Sequence, residues 1–218
     1  MSIIYSYFDG NYIGIEELVR SKENTGVRSV YINLTNQCPC ACLFCIRTEL
    51  TQSGMDDLWL KEEPSVQEVI HDLGRLDLSQ YDEVIFCGYG EPFMRLEEVI
   101  EISKYLKANH DIKIRVNTNG LANLIYNKNI VPLIAESVDS ISISLNASNE
   151  EEYLRLTNSI YGITSFLGML QFAIECKKVM KEVRVSVVDI IGRDELKRCR
   201  DLTEQYGLDL IVREYRHS

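Results

Sequence analysis

Asn36-Gln37-Cys38-Pro39-Cys40-Ala41-Cys42-Leu43-Phe44-Cys45 is the stretch on which the reading of this chain turns. Four cysteines fall within eight residues, and Cys38, Cys42 and Cys45 have the spacing C-x3-C-x2-C. A tight turn can aim three such thiolates at one centre, and soft thiolate ligands suit iron–sulfur clusters, zinc or copper(I). Three thiolates on a four-iron cluster leave one iron without a protein ligand, where a small molecule can bind. Cys40 either faces away from that centre or supplies the fourth thiolate of a zinc site. Four thiols crowded into one loop do not follow the pair-plus-pair spacing usual for zinc.

Seven cysteines is an odd number. Four of them in one loop fit a reducing compartment and a metal site better than a disulfide framework. The formal net charge of −10 argues against nucleic acid as the main partner, because phosphates are repelled. Arg213, Arg216 and His217 form a small basic end, read as a solvated tail or a local anion contact. Met1 to Tyr12 lacks the basic start and apolar run of a signal peptide, and no stretch has the length of a membrane span. The expectation is a cytoplasmic protein without membrane contact.

Working outward from the cysteines, apolar runs of strand length alternate with helical periodicity. Residues 3–13 suggest a hairpin turning at Asp9-Gly10, followed by a short helix over 14–21. Strands are expected at 27–34, 81–87, 112–116, 140–145, 183–188 and 208–212. Helices are expected at 64–76, 96–106, 121–135 (interrupted near Asn127 and Pro132), 149–156, 165–180 and 192–206. Residues 47–63 read as an excursion over the site. Six strands alternating with helices give an α/β fold, a partial (β/α)6 barrel resembling a TIM barrel. We expect one domain over 1–218, with 1–26 as a hairpin and helix extension. The cysteines, Gly88–Pro92, Asn117–Gly120, Asn146 and Asp189 each follow the C-terminal end of a strand, the edge at which such folds build their sites.

Two of these strand ends have their own signatures. Gly88-Tyr89-Gly90-Glu91-Pro92 lets a ligand approach backbone that carries no Cβ at either glycine. Asn117-Thr118-Asn119-Gly120 offers short amides and a hydroxyl, and also suits a plain turn. Ser142 and Ser144 alternate with Ile141, Ile143 and Leu145, which aims small hydroxyls at the barrel centre.

On these residues the chain resembles the radical SAM superfamily. Its cluster loop has this cysteine spacing, with an aromatic residue, here Phe44, before the last cysteine. The resemblance implies a 4Fe-4S cluster on Cys38, Cys42 and Cys45, and S-adenosylmethionine on its open iron. Reductive cleavage then yields a 5′-deoxyadenosyl radical that abstracts hydrogen from a substrate. Residues 88–92 resemble the superfamily's Gly-Gly-Glu-Pro segment, with Tyr89 inserted between the glycines. Residues 117–120 resemble the Asp/Asn-Thr-Asn-Gly segment of glycyl-radical-enzyme activating enzymes. The implied cofactor contacts are Phe44, Gly88, Tyr89, Gly90, Glu91, Asn117, Asn119, Ser144 and Asn146. Between about residues 27 and 190 the motifs look most like the TatD-associated radical SAM proteins. Implied partners are a small-molecule or peptide/protein substrate and an electron donor such as flavodoxin or ferredoxin. The rival readings are a glycyl-radical-enzyme activase and, from another class, a non-catalytic metal-binding or interaction module.

Overall fold

Alternation along single strands sets the architecture. In the computed structural model, which describes residues 3–9, 11–20, 26–47 and 58–215, the strand Lys113–Thr118 alternates half-buried and buried residues without a break. Ile114 and Val116 face the helices, while Lys113, Arg115 and Asn117 face the other way, because side chains on a strand alternate between faces. In Ser140–Ser144 all residues but Ser144 are buried, with Ile141 and Ile143 in the core behind the sheet.

The hairpin β1 (Ile3–Phe8) and β2 (Asn11–Gly14) turns through Asp9, which has a left-handed φ of +47°. It leads into α1 (Ile15–Arg20). The six expected core strands are β3 (Ser29–Asn33), β4 (Glu83–Phe86), β5 (Lys113–Thr118), β6 (Ser140–Ser144), β7 (Glu182–Val188) and β8 (Asp209–Arg213). They pair in parallel in that order, and β1 pairs antiparallel with β3. The hairpin therefore enlarges the sheet from the six strands expected to eight, in the order β2-β1-β3-β4-β5-β6-β7-β8. Tyr5 stacks on Tyr31 across that join, ring centroids 5.2 Å apart.

The crossovers are α2 (Val66–Leu73), α3 (Leu96–Asn109), α4 (Ala122–Tyr126), α5 (Val131–Ile134), α6 (Glu150–Thr157), α7 (Ser165–Val179) and α8 (Arg193–Gln205). The helix expected from Pro64 starts later because Ser65 caps it: Ser65 accepts from Glu68 N–H, and Glu68 returns the bond. The stretch 121–135 splits in two where Asn127 turns left-handed, at φ +48°. Asn149 caps α6 as expected.

The sheet curls. From β3 to β8 is five strand spacings, about 24 Å if flat. Yet Arg213 on β8 lies close enough to Tyr31 and Cys87 on the β3–β4 side to interact with them electrostatically, and it bonds Ser142 on β6. The result is an open partial barrel with a concave trough. No pairing joins β2 to β8 among the described residues.

The core behind the sheet reaches the site edge through Phe93 and Phe172, both fully buried, with ring centroids 6.2 Å apart in an edge-to-face contact. Phe172→Ala should cost about 3–5 kcal/mol of stability, read as a lower urea midpoint. A loss below about 1 kcal/mol would contradict this packing.

Candidate active site

The cysteine loop hangs between the end of β3 and the end of α6. Ala41 and Leu43 donate their N–H groups to the carbonyls of Thr157 and Leu156, both at 2.9 Å, and Ile160 N–H bonds Pro39 O at 3.0 Å. On the other side, residues 58–63 are stapled to the loop. Asn33 donates to Leu58 O at 2.7 Å, Asn36 pairs both ways with the Leu60 backbone at 2.8 and 3.1 Å, and Glu63 accepts from Gln37 at 2.9 Å and from Thr35. This end of the expected 47–63 excursion is part of the site wall. Residues 48–57, its middle, lie outside the described residues.

Within the loop, Cys40 departs from the expectation that it faces away. It is buried, and its thiol lies within hydrogen-bonding reach of both Cys38 and Cys42. The interaction with Cys40 lowers Cys38 to about 6, with Arg47 and Asn119 adding to the effect, and it lowers Cys42 as well. Cys40 is raised correspondingly. The hydrogen bonds with Cys40 favour thiolate character at Cys38 and Cys42, the form that ligates metals. Cys45 follows a tight turn, its N–H on Cys42 O at 3.1 Å. It does not join the others in a ready-made metal cage among the described residues. Phe44, half-buried, packs against the main core and braces the loop from behind.

Arg47 gave no signal in the sequence beyond its position after the loop. Its guanidinium donates to Asn36 O at 3.0 Å and to Cys40 O at 3.4 Å, holding the two ends of the loop together.

The glycine turn after β4 packs closely against the end of β3 and the start of the cysteine loop. A Cβ on Gly88 would stand 2.2 Å from Asn33 Oδ1, and one on Gly90 2.3 Å from Thr35 O and 2.6 Å from Gln37 O. What approaches these glycines is the neighbouring loop of the protein itself. Tyr89, the inserted residue, is buried beside Tyr5 and Leu58 and walls the trough. Glu91 is buried too. Its carboxyl accepts from Phe93 N–H at 3.1 Å, Thr118 O–H at 2.7 Å and Asn119 N–H at 2.7 Å, and its own N–H donates to Gln37 O at 2.8 Å. Burial pushes this carboxyl up to about 7, against hydrogen bonds that favour its ionised form.

Asn119 is the residue this carboxyl positions. Its side-chain amide donates to Cys38 Sγ at 3.8 Å and Cys40 Sγ at 3.9 Å, lengths ordinary for bonds to sulfur. Gly120 permits the turn behind it, with φ +78° and Ile143 and Met169 where a Cβ would stand. Asn117 is on the concave face, and its Oδ1 is buried with no partner among the described residues. Ser142 is its register partner, and Ser144 pairs with Ser186. Asn146 follows in a left-handed conformation, φ +61°, with its N–H on Ser186 O at 3.2 Å. Asp189 instead anchors the end of β8, accepting from Tyr215 N–H at 2.8 Å.

Sequence reasoning missed Tyr153. It lies on the apolar face of α6, fully buried, and its hydroxyl has no partner among the described residues. Its pKa is raised first by burial and then by the charges of Cys40, Cys42, Glu91 and Cys38, so it lies behind the cysteine loop. Helical spacing of apolar residues cannot distinguish such a tyrosine from core.

A family model described as the radical SAM superfamily matches residues 32–198. The chain belongs to the radical SAM superfamily. Members use a 4Fe-4S cluster and S-adenosylmethionine, and the donors here fit such groups: cysteines with thiolate character, an amide N–H aimed at sulfur, and a buried amide oxygen awaiting a donor. Among curated relatives, the GTP 3′,8-cyclase of Paenarthrobacter nicotinovorans is 29% identical over 133 residues, covering 58% of this chain and 34% of that protein. The probable GTP 3′,8-cyclase of Thermococcus kodakarensis is 26% identical over 169 residues, covering 78% and 50%. The chain therefore spans about a third to a half of the length of these relatives. Among solved structures, anSMEcpe with bound AdoMet and the Cp18Cys peptide superimposes with a TM-score of 0.63 at 16% identity, covering 87% of this chain and 51% of that one. Streptococcus suis SuiB gives 0.59 at 16%, covering 85% and 39%. These structures share the radical SAM fold. No helix among the described residues is long and apolar enough to cross a membrane.

Glu91 supplies a pH test. Its folded pKa lies above the ordinary 4.5, so the fold prefers the protonated form. That contribution is complete below pH 4.5 and is lost as pH rises through about 7. Relative to Glu91→Gln, the metal-free wild-type chain should lose up to about 3 kcal/mol between those limits, measured by urea unfolding across pH. Parallel profiles for the two proteins would refute the assignment.

Proposed function

We propose that this chain is a radical SAM enzyme in which Cys38, Cys42 and Cys45 hold the cluster, while Asn117, Ser144, Asn146 and the 88–90 backbone position S-adenosylmethionine. The observation that carries the reading is the cross-bonding of three strand-end loops at one edge. Glu91 joins the glycine turn to the 117–120 loop, and Asn119 joins that loop to the cysteines. When bound, the two groups supply a reductive cleavage to a 5′-deoxyadenosyl radical and abstraction of a substrate hydrogen.

The chain's residues do the rest. Asn119 N–H donation to sulfur favours the thiolate form needed for ligation. Cys40, within hydrogen-bonding reach of Cys38 and Cys42, serves the loop as a hydrogen-bond partner and leaves ligation to the other three. Asn117 Oδ1, buried and unpartnered, offers an acceptor to a hydroxyl or ammonium of the cofactor. Tyr89, Leu58 and the stapled 58–63 segment keep water from one side of the trough. An electron donor such as flavodoxin or ferredoxin reduces the cluster, and the reaction runs in the cytoplasm.

Within the superfamily, the motif set points to the TatD-associated proteins. The stretch shared with the GTP 3′,8-cyclases is at most half of those proteins, so it supports the radical chemistry without carrying over their cyclised substrate. A glycyl-radical-enzyme activase is the second reading, favoured by the lack of any pairing between β2 and β8 among the described residues, which would let a protein loop enter.

Anaerobically reconstituted protein should bind about four irons and, once reduced, release 5′-deoxyadenosine slowly from S-adenosylmethionine. Alanine at Cys38, Cys42 or Cys45 should abolish the iron, while Cys40→Ala keeps most of it. Tight zinc with no iron would defeat the proposal, and an intact cluster with no cofactor binding would favour a non-catalytic module.

Asn117→Ala isolates the cofactor contact. It should weaken S-adenosylmethionine binding about tenfold or more, a buried hydrogen bond being worth about 1–2 kcal/mol, with iron content unchanged. Unaltered affinity would remove Asn117 from the contact set.

A further inference from the structure

Tyr153 is a polar residue in a place where the fold gives its hydroxyl nothing to bond. It stands on α6 with Leu156 and Thr157, and spacings of three and four residues put all three on one buried face. The end of that helix meets the cysteine loop, where the carbonyls of Leu156 and Thr157 accept from the N–H groups of Leu43 and Ala41. The Thr157 hydroxyl donates to the Tyr153 carbonyl at 2.8 Å and ties this last turn together. The Tyr153 ring is fully buried and meets Phe166 of α7 edge to face, centroids 5.9 Å apart. Tyr153 and Cys40 belong to one core cluster, and Cys38 and Cys42 pack against that cluster.

The hydroxyl is buried with no partner among the described residues. Tyr5 and Tyr126 show the ordinary arrangement, their hydroxyls donating to Cys87 O and Met94 O at 3.3 and 3.4 Å. An orphaned hydroxyl in a dry core costs stability, and phenylalanine would fill the same space without that cost. The groups near enough to interact electrostatically with the hydroxyl are Cys40, Cys42, Glu91 and Cys38. Glu91 already accepts from three donors. The other three neighbours are sulfur. A neutral thiol is a weak acceptor, whereas cluster-bound thiolates and sulfides carry negative charge and accept well. Burial holds the phenol in its protonated, donating form.

We infer that the buried Tyr153 hydroxyl donates a hydrogen bond to a sulfur of the bound cluster, and through that bond raises the potential at which the cluster takes up its electron. The inference rests on the enzyme reading above, in which Cys38, Cys42 and Cys45 hold a 4Fe-4S cluster. Reduction adds one electron from a donor such as flavodoxin or ferredoxin; no O–H bond breaks, and the Tyr153 proton stays on its oxygen. The extra negative charge makes the cluster sulfurs better acceptors, so the bond favours the reduced state. The dry surroundings strengthen this effect, because little dielectric screening acts there. Asn119 donates to Cys38 and Cys40 from the loop after β5. Tyr153 adds a second donor from α6, so that two separate elements of the fold ease the cluster's reduction.

Anaerobically reconstituted full-length protein, poised with redox dyes and read by electron paramagnetic resonance, tests the bond. At a fixed potential near the wild-type midpoint, Tyr153→Phe should lower the reduced-to-oxidised ratio of the cluster at least about threefold, the size of one modest hydrogen bond. Its iron content should match the wild type. Metal-free Tyr153→Phe should unfold at the wild-type urea midpoint or above, because the lost hydroxyl had no protein partner. Fluorotyrosine placed at position 153 by codon suppression nearly keeps the shape and donates more strongly, so it should raise the ratio. It also decides the matter if the phenylalanine variant fails to fold or to take up iron. A ratio unmoved by these substitutions, as for a hydroxyl bonded only to water, overturns the inference. A lower urea midpoint for the metal-free phenylalanine variant overturns it too, by revealing a partner within the protein. Iron content and 5′-deoxyadenosine release are measured on the same wild-type preparation. A protein that loads iron and cleaves S-adenosylmethionine while the ratio stays unmoved loses only the Tyr153 bond. One that never assembles a cluster loses the enzyme reading, and this inference with it.

Discussion

The Glu91 carboxyl is the constraint around which the strand-end edge is built. A carboxyl sealed from water is costly unless donors surround it, and these donors come from separate pieces of chain: Phe93 beside it, and Thr118 and Asn119 after β5. Its own N–H fixes Gln37 at the mouth of the cysteine loop. One residue therefore sets the relative positions of three loops that are far apart in sequence. The Asn119 amide inherits its aim at the cysteine sulfurs from that arrangement.

Space is the second constraint. The glycine turn and the start of the cysteine loop run so close that a methyl group at Gly88 or Gly90 would penetrate Asn33 or the carbonyls of Thr35 and Gln37. The same economy of space is seen where Asn36 grips both backbone groups of Leu60. Arg95 adds bonds to Leu34 O at 3.2 Å and Pro64 O at 2.7 Å. The cysteine loop is thereby held from several directions by bonds that do not depend on a bound metal. This is the preorganisation expected of a site that must orient a reactive cofactor.

The two faces of the sheet divide the labour. Ile, Val and Phe side chains behind it bury against the helices and supply the cohesion. The concave face is instead polar, with arginines, serines and Asn117 directed into a trough, and no pairing closes β2 on β8 among the described residues. Keeping polar groups there sacrifices packing, a cost that a binding cavity requires. The tyrosines of the N-terminal hairpin and β3 line one flank of this trough and complete the sheet on that side.

Local patterns were legible in the sequence. Strand alternation, helical periodicity, the Asn149 cap and the C-x3-C-x2-C spacing depend on neighbours a few residues apart, so they place the parallel strands and gather the unusual residues on one edge without coordinates. The roles within that edge were not legible, because they depend on contacts between distant segments. Cys40 was read as facing away but lies between Cys38 and Cys42. That the Asn33 side chain and the Thr35 and Gln37 carbonyls pack where a Cβ on Gly88 or Gly90 would stand was not legible either. Glu91 was read as a ligand contact, whereas its carboxyl is bonded to protein donors within the wall. Arg213 looked like part of a basic tail and turned into the trough only because the sheet curls. Spacing along the chain determined which residues reach the site; the curvature of the sheet and the burial of one carboxyl decided which way each of them points.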